Sequence, residues 1–241
     1  MQAIILAGGK GTRLKPFTVT IPKPLLPLGD RPIIDIVLTQ LRSHGFGRIV
    51  ISLGYLAPLF QAFVGDGSRW NLEVEYTFEE EPLGTAGALR LVPALDDNFL
   101  VLNGDTLTDL NFQNIFEAHC SSGAYATIFG AKVDDYMDYG IVEFDPLTKR
   151  LLKYFEKPTR SYYVSAGIYV LSSRIVEFFP ERGRLDMPDL LRSATTGGKE
   201  VTVFTSEGTY WRDIGRFDHY EAASRDFAEA PERFVKIQGR A

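Results

Sequence analysis

The chain opens on a short apolar run, Gln2-Ala3-Ile4-Ile5-Leu6-Ala7, that breaks at once into Gly8-Gly9-Lys10-Gly11-Thr12-Arg13. No other feature constrains the fold as tightly. A run this short, apolar and partly β-branched, suits a buried strand rather than a helix. Glycines directly after a strand let backbone N–H groups approach an anion with no Cβ in the way. Arg13 adds a planar fork that matches two phosphate oxygens at once. The stretch reads as a phosphate-binding loop.

Spacing excludes two common loops. A dinucleotide fingerprint G-x-G-x-x-G begun at Gly9 and Gly11 would need its third glycine where Leu14 stands. The Walker A pattern is absent. The chain continues instead to Ile21-Pro22-Lys23-Pro24-Leu25-Leu26-Pro27-Leu28, where three prolines predict extended backbone and a fixed second cation, Lys23. Leu6-Ala7-Gly8-Gly9-x-Gly11-Thr12-Arg13-Leu14 followed by Pro22-Lys23-Pro24 resembles the opening signature of the sugar-1-phosphate nucleotidylyltransferases, most closely the GDP-mannose pyrophosphorylase branch in a short form.

Beyond this opening, apolar strand-like runs alternate with helical patterns. Strands are predicted at 48–53, 72–76 and 99–103. Helices are predicted at 31–41, 59–64 and, after an acidic turn, towards Leu89. This alternation predicts an α/β fold with a mixed, mainly parallel sheet covered by helices on both faces, and the resemblance implies the Rossmann-like form of it. Ligands of such sheets bind beyond the strands' carboxyl ends, where the glycine loop, the turn after Thr77 and Gly104-Asp105 all fall. In the second half, strands at 126–129, 141–144, 151–155 and 162–170 read as mixed or antiparallel additions to the sheet. Short helices are expected near 174–179 and 188–194, a last strand at 201–204, and a terminal helix over 216–226 with a fraying tail beyond Pro231. We expect one domain over 1–241, with 1–110 serving the nucleotide and 111–241 the sugar phosphate.

The formal net charge is −5, which argues against a nucleic-acid or acidic-membrane partner, so an anionic substrate must be held by local cations. Cys120 is the only cysteine, which forbids an intrachain disulfide, and its helical context predicts a buried or half-buried filler. No run is long enough to span a bilayer, and the first apolar run is too short for a signal sequence, so a reducing cytoplasm is expected. His44, His119 and His219 lack metal spacing and read as structural or surface residues.

The resemblance implies the remaining assignments. Leu-Asn-Gly-Asp ending at Asp105 and Trp-Arg-Asp-Ile-Gly around Asp213 match the family's two Mg²⁺-ligand motifs. Asn103 and Asp105 would also lie near the sugar. Glu156-Lys157-Pro158 implies that Lys157 holds the sugar phosphate and Glu156 a sugar hydroxyl. Gly140 and Gly167 match positions where small residues let the sugar approach the backbone. The family usually has Asn-Ala-Gly where this chain has Ser165-Ala166-Gly167. Glu79-Glu80-Glu81-Pro82-Leu83-Gly84-Thr85 resembles the base-binding turn of guanylyl-specific members. There a carboxylate would accept from guanine N1–H and the exocyclic amine, with Glu79 the first choice and Glu80 or Glu81 behind it.

The implied reaction is Mg²⁺-dependent transfer of a nucleotidyl group from a nucleoside triphosphate, GTP first, to a sugar 1-phosphate. Mannose is the first choice of sugar, with heptose, glucosamine-type and N-acetylmuramic acid phosphates, and UTP, as alternatives. Arg13, Lys23 and Lys157 would be the catalytic cations. A non-catalytic sugar-nucleotide sensor is the rival reading. The C-terminal β-helix of longer relatives is expected to be absent, leaving a monomer or small homo-oligomer.

Overall fold

A computed structural model describes residues 1–235. In chain order the strands are β1 (Gln2–Ala7), β2 (Pro27–Leu28), β3 (Arg31–Pro32), β4 (Arg48–Leu53), β5 (Glu73–Phe78), β6 (Asn98–Asn103), β7 (Thr106–Thr108), β8 (Ala126–Tyr136), β9 (Ile141–Phe144), β10 (Leu151–Phe155), β11 (Thr159–Ser172), β12 (Val201–Phe204) and β13 (Trp211–Asp213). The α-helices are α1 (Ile33–Ser43), α2 (Ala57–Val64), α3 (Phe112–Ser122), α4 (Met187–Thr196), α5 (Phe217–Glu229) and α6 (Pro231–Phe234).

Seven strands form one sheet in the order β12-β8-β11-β6-β1-β4-β5. Only β11 runs against the others, pairing antiparallel with both β6 and β8. Alternation along β1 explains the layers. Ala3, Ile5 and Ala7 enter one core with the apolar faces of α1, α2, α3 and α5. Ile4 enters a second core on the opposite face, with Leu89, Ile175, Leu190 and Leu191. Both faces are covered, as a mainly parallel sheet requires.

The order of connection reverses at β1. The chain runs from β1 to β4 and β5 on one side, then returns to β6 on the other. That switch point opens a crevice at the carboxyl ends of β1 and β6. In register, Leu6 lies beside Asn103 on one side and Ser52 on the other.

Several expectations need correction. The β9–β10 pair does not join the central sheet but forms a separate two-stranded hairpin. Its Val142, Phe144, Leu152 and Tyr154 are exposed, because no sheet or helix backs them. The turn after Glu81 leads into a 3-10 segment, Gly87–Leu91, rather than an α-helix. Lys23–Leu25 is likewise a 3-10 turn and not extended chain. Cys120 is exposed, since it falls on the outer face of α3, whose inner face carries Phe112, Ile115 and His119. Past Pro231 the chain does not fray at once. Phe234 is buried and packs edge-on against Tyr210. The last six residues lie outside the described ones.

Candidate active site

The crevice at the switch point is a cleft of about 420 Å³. Every residue expected to hold the nucleotide lines it: Leu6, Ala7, Gly8, Gly9, Gly11, Thr12, Glu79, Pro82, Gly84 and Thr85. Arg13, Lys23, Asn103 and Asp105 line it too.

Local structure explains the placement. Gly11 takes a left-handed φ of 58° and opens a 3-10 turn over Thr12–Leu14, with Leu14 N–H donating to the Gly11 carbonyl at 2.9 Å. Thr18 Oγ1 donates to the same carbonyl at 2.7 Å. At Gly8 a Cβ would fall 2.5 Å from Glu79 Oε1, so any larger residue there would push this carboxylate out of its place beside the glycine loop. Glu79 is oriented from both sides. Ser52 Oγ donates to Oε1 at 3.2 Å and the Leu83 backbone N–H to Oε2 at 2.9 Å. Glu80 and Glu81 are exposed, so among the three acids Glu79 is the one built into the cleft.

The two aspartates meet through pairing distant in sequence. Strand β13 runs antiparallel to β7 with Asp213 opposite Thr106, and Ile214 N–H donates to the Asp105 carbonyl at 3.1 Å. The Lys23 ammonium, almost wholly buried, donates to Asp105 Oδ2 and stands 3.9 Å from Asp213 Oδ1. Burial pushes the Asp213 carboxyl above its ordinary value, and the Asp105 charge adds to that. Lys23, Arg13 and His219 pull the other way. His219 Nδ1 lies 3.0 Å from the Asp213 backbone oxygen.

One oxygen here is unusual. Asp105 Oδ1 is buried without a hydrogen-bond partner, an arrangement that costs free energy unless another group completes it. A divalent cation fits. Mg²⁺ takes one or two carboxylates and draws its other ligands from phosphate oxygens and water. Among the described residues no group of three or more His, Cys, Asp or Glu could hold a metal ion, so phosphate oxygens or water would complete the shell.

The sugar-side residues are only partly gathered. Register shifts between Ser165 and Tyr169 in β11, and this irregular stretch presents Gly167 to the Asn103 amide. Trp211 Nε1 donates to the Ala166 carbonyl at 2.9 Å, making Trp211 a wall residue. The Ser165 hydroxyl bonds Tyr169 Oη at 2.9 Å. Gly140, Glu156 and Lys157 sit together at the base of the β9–β10 hairpin, where Tyr154 Oη donates to Glu156 Oε2 at 2.9 Å. Neither these three nor Ser165 and Gly167 line the cleft.

Sequence reasoning missed Arg184 and Asp186, which do line it. Leu185 N–H donates to the Leu83 carbonyl at 2.8 Å, while the Leu185 carbonyl accepts from Ala86 at 3.0 Å and Gly87 at 2.9 Å. Gly84, at a left-handed φ of 84°, brings its Cα so near that a Cβ would fall 2.5 Å from the Leu185 carbonyl. The one local signal was alternation: Arg184 and Asp186 flank Leu185 and so share one side of an extended segment.

The family profile described as nucleotidyl transferase matches residues 2–230. A UTP–glucose-1-phosphate uridylyltransferase from Synechocystis sp. is 33% identical over 99% of this chain and 66% of its own length. A mannose-1-phosphate guanyltransferase from Debaryomyces hansenii is 33% identical over 90% of this chain. The chain spans 61% of that relative. Among solved structures, HddC from Yersinia pseudotuberculosis complexed with GMP-PN superposes with a TM-score of 0.71 at 29% identity, covering 94% of this chain and 99% of that one. No helix among the described residues is long and apolar enough to cross a membrane.

Proposed function

The chain belongs to the nucleotidyl transferase family, and from that premise we propose that it transfers a nucleotidyl group from a nucleoside triphosphate to a sugar 1-phosphate, releasing pyrophosphate. GTP and mannose 1-phosphate are the first-choice substrates. The names of relatives support both a guanylyl–mannose and a uridylyl–glucose version.

One observation carries the reading. Arg13, Lys23 and Asp105 line a nucleotide-sized cleft beside the glycine turn, and Lys23 and Arg13 also act on Asp213, which neighbours Asp105 without lining the cleft itself. In the reaction a phosphate oxygen of the sugar 1-phosphate attacks the α-phosphorus. A new P–O bond forms there, the bond to the bridging oxygen of the β-phosphate breaks, and pyrophosphate leaves with the electron pair. The attacking group is already largely ionised near neutral pH, since a phosphomonoester's second pKa is about 6. No general base is needed, so histidines with structural partners pose no obstacle. Alignment and charge compensation then do most of the catalytic work.

Arg13 takes the triphosphate charge and Lys23 the α-phosphate region. Asp105 and Asp213 hold Mg²⁺, which when bound supplies charge neutralisation at the phosphate oxygens. Lys157, Glu156, Gly140, Ser165 and Gly167 remain assigned to the sugar phosphate; residues 1–110 are assigned mainly to the nucleotide and 111–241 to the sugar phosphate, with Arg184 and Asp186 reaching from the second half into the nucleotide cleft. A cytoplasmic setting belongs to the same proposal.

The test is pyrophosphate release measured for four nucleoside triphosphates against a panel of sugar 1-phosphates with Mg²⁺. Turnover of at least one pair is expected. Binding without release for every pair would leave the sensor reading in its place. Arg13 is exposed, so Arg13→Ala should keep the fold and lower turnover by roughly 10²–10³-fold, the scale for losing one preorganised charge-stabilising group.

A further inference from the structure

We propose that Arg184, clamped by Asp186, is a second reader of the nucleobase, and that with Glu79 it makes the cleft selective for guanine. This rests on the nucleotidyl-transfer reading above and adds a specificity-determining residue to it. Arg184 donates through Nε to Asp186 Oδ2 at 3.0 Å and through Nη2 to Asp186 Oδ1 at 3.2 Å. That side-on grip leaves the Nη1–Nη2 end of the guanidinium free. Its two parallel N–H groups are the fork that pairs with guanine O6 and N7. The side chain is 63% exposed, so this end is accessible to a ligand.

Asp186 is itself fixed to the base-binding turn. The Thr85 backbone N–H donates to Asp186 Oδ1 at 3.3 Å, and Met187 N–H donates to Thr85 Oγ1 at 2.7 Å. Arg184 and Glu79 line the same cleft, close enough that the Glu79 charge is felt at the guanidinium. One cleft therefore offers an acceptor of fixed orientation and a donor fork. Guanine presents the complement, donors at N1 and the 2-amine and acceptors at O6 and N7. Adenine presents an amine where guanine has O6, which would set donor against donor. Pyrimidines have no N7.

The test uses Arg184→Gln and Arg184→Lys, with kcat/KM measured for GTP, 7-deaza-GTP, ITP and UTP. Arg184 is a surface side chain, so both variants should fold. The loss of a bidentate arginine–guanine contact predicts a fall of about 10- to 100-fold with GTP, carried mainly in KM, and little change with UTP. Lysine keeps the charge but not the fork and should not rescue. In the unsubstituted protein 7-deaza-GTP, which lacks N7, should be a poorer substrate than GTP. In Arg184→Gln the two should become equal. ITP, lacking the 2-amine, should remain poor in both, because that atom is assigned to Glu79. Equal losses with GTP and UTP, full rescue by lysine, or an unchanged 7-deaza penalty in Arg184→Gln would each overturn the assignment while nucleotidyl transfer itself stood. Absence of turnover by the unsubstituted protein with every triphosphate would instead remove the reading on which it rests.

Discussion

Replacing Lys23 by methionine tests the electrostatics of the site directly. The substitution keeps the stem and removes the ammonium that binds Asp105 and faces Asp213. Two carboxylates are then left together, one with an oxygen that already lacks a partner. Breaking a fully buried pair from one side costs about 3–5 kcal/mol. The side chains of Asp105 and Asp213 keep 24% and 36% exposure, so solvent screening lowers the expected cost to about 2–3 kcal/mol. At about 2–4 °C per kcal/mol for a chain of this size, Tm in EDTA should drop by about 5–10 °C. Millimolar Mg²⁺ should restore most of that loss, because a divalent ion between the aspartates replaces the missing positive charge. The unsubstituted protein should gain much less, as Lys23 already compensates Asp105. Turnover should not return. Thermal unfolding of both proteins, with EDTA and with Mg²⁺, decides the matter. An equal Mg²⁺ shift in the two, or a loss in EDTA under about 2 °C, would mean that these groups do not form one electrostatic site.

Other outcomes follow from the same geometry. Asp213 has a raised pKa from burial and the nearby Asp105 charge, so without a cation its ionised form opposes folding once pH has risen through that value. Asp213→Asn should therefore raise Tm in EDTA at neutral pH and remove the Mg²⁺ response, with turnover lost; a lower Tm in EDTA would refute this. His119 is buried between Thr127 Oγ1 at 2.8 Å and Asn98 Oδ1 at 3.1 Å, and burial, aided by the Arg174 charge, lowers its pKa from 6.5 to about 4. The unfolded chain takes up this proton first, so stability present above pH 6.5 should be lost as pH falls towards 4, by about 3 kcal/mol at the limit. Denaturant titrations of His119→Gln should show a flatter pH profile over that window. Gly84→Ala combines a left-handed φ with a clash against the Leu185 carbonyl and should raise KM for the triphosphate more than it lowers kcat, as steady-state kinetics would reveal.

Much of the fold was legible locally. The bounds of β1, β4, β9, β10 and β12 coincide with runs read from the sequence, because clusters of apolar, β-branched and aromatic residues over four to six positions mark extended chain, whether the strand is buried like β1 and β4 or exposed like β9 and β10. The glycine turn, Glu79 and Asp105 were legible as well, since each follows a strand whose end marks the sheet's rim. Cys120 was misplaced by a different cause. Helical context fixes a residue's periodicity but not which face the core takes, and on α3 the core took the face carrying His119.

The sequence alone therefore determined the glycine loop after β1, the α/β alternation and the identity of the charged groups, all set by neighbours along the chain. Tertiary structure decided which of them meet. Pairing of β13 with β7 brings Asp213 to Asp105 across more than 100 residues, and the backbone of Leu185 ties Arg184 and Asp186 to the turn at Gly84–Gly87. Those contacts are backbone hydrogen bonds between distant segments. They depend on register and closure, and amide groups common to every residue leave no side-chain pattern from which to read them.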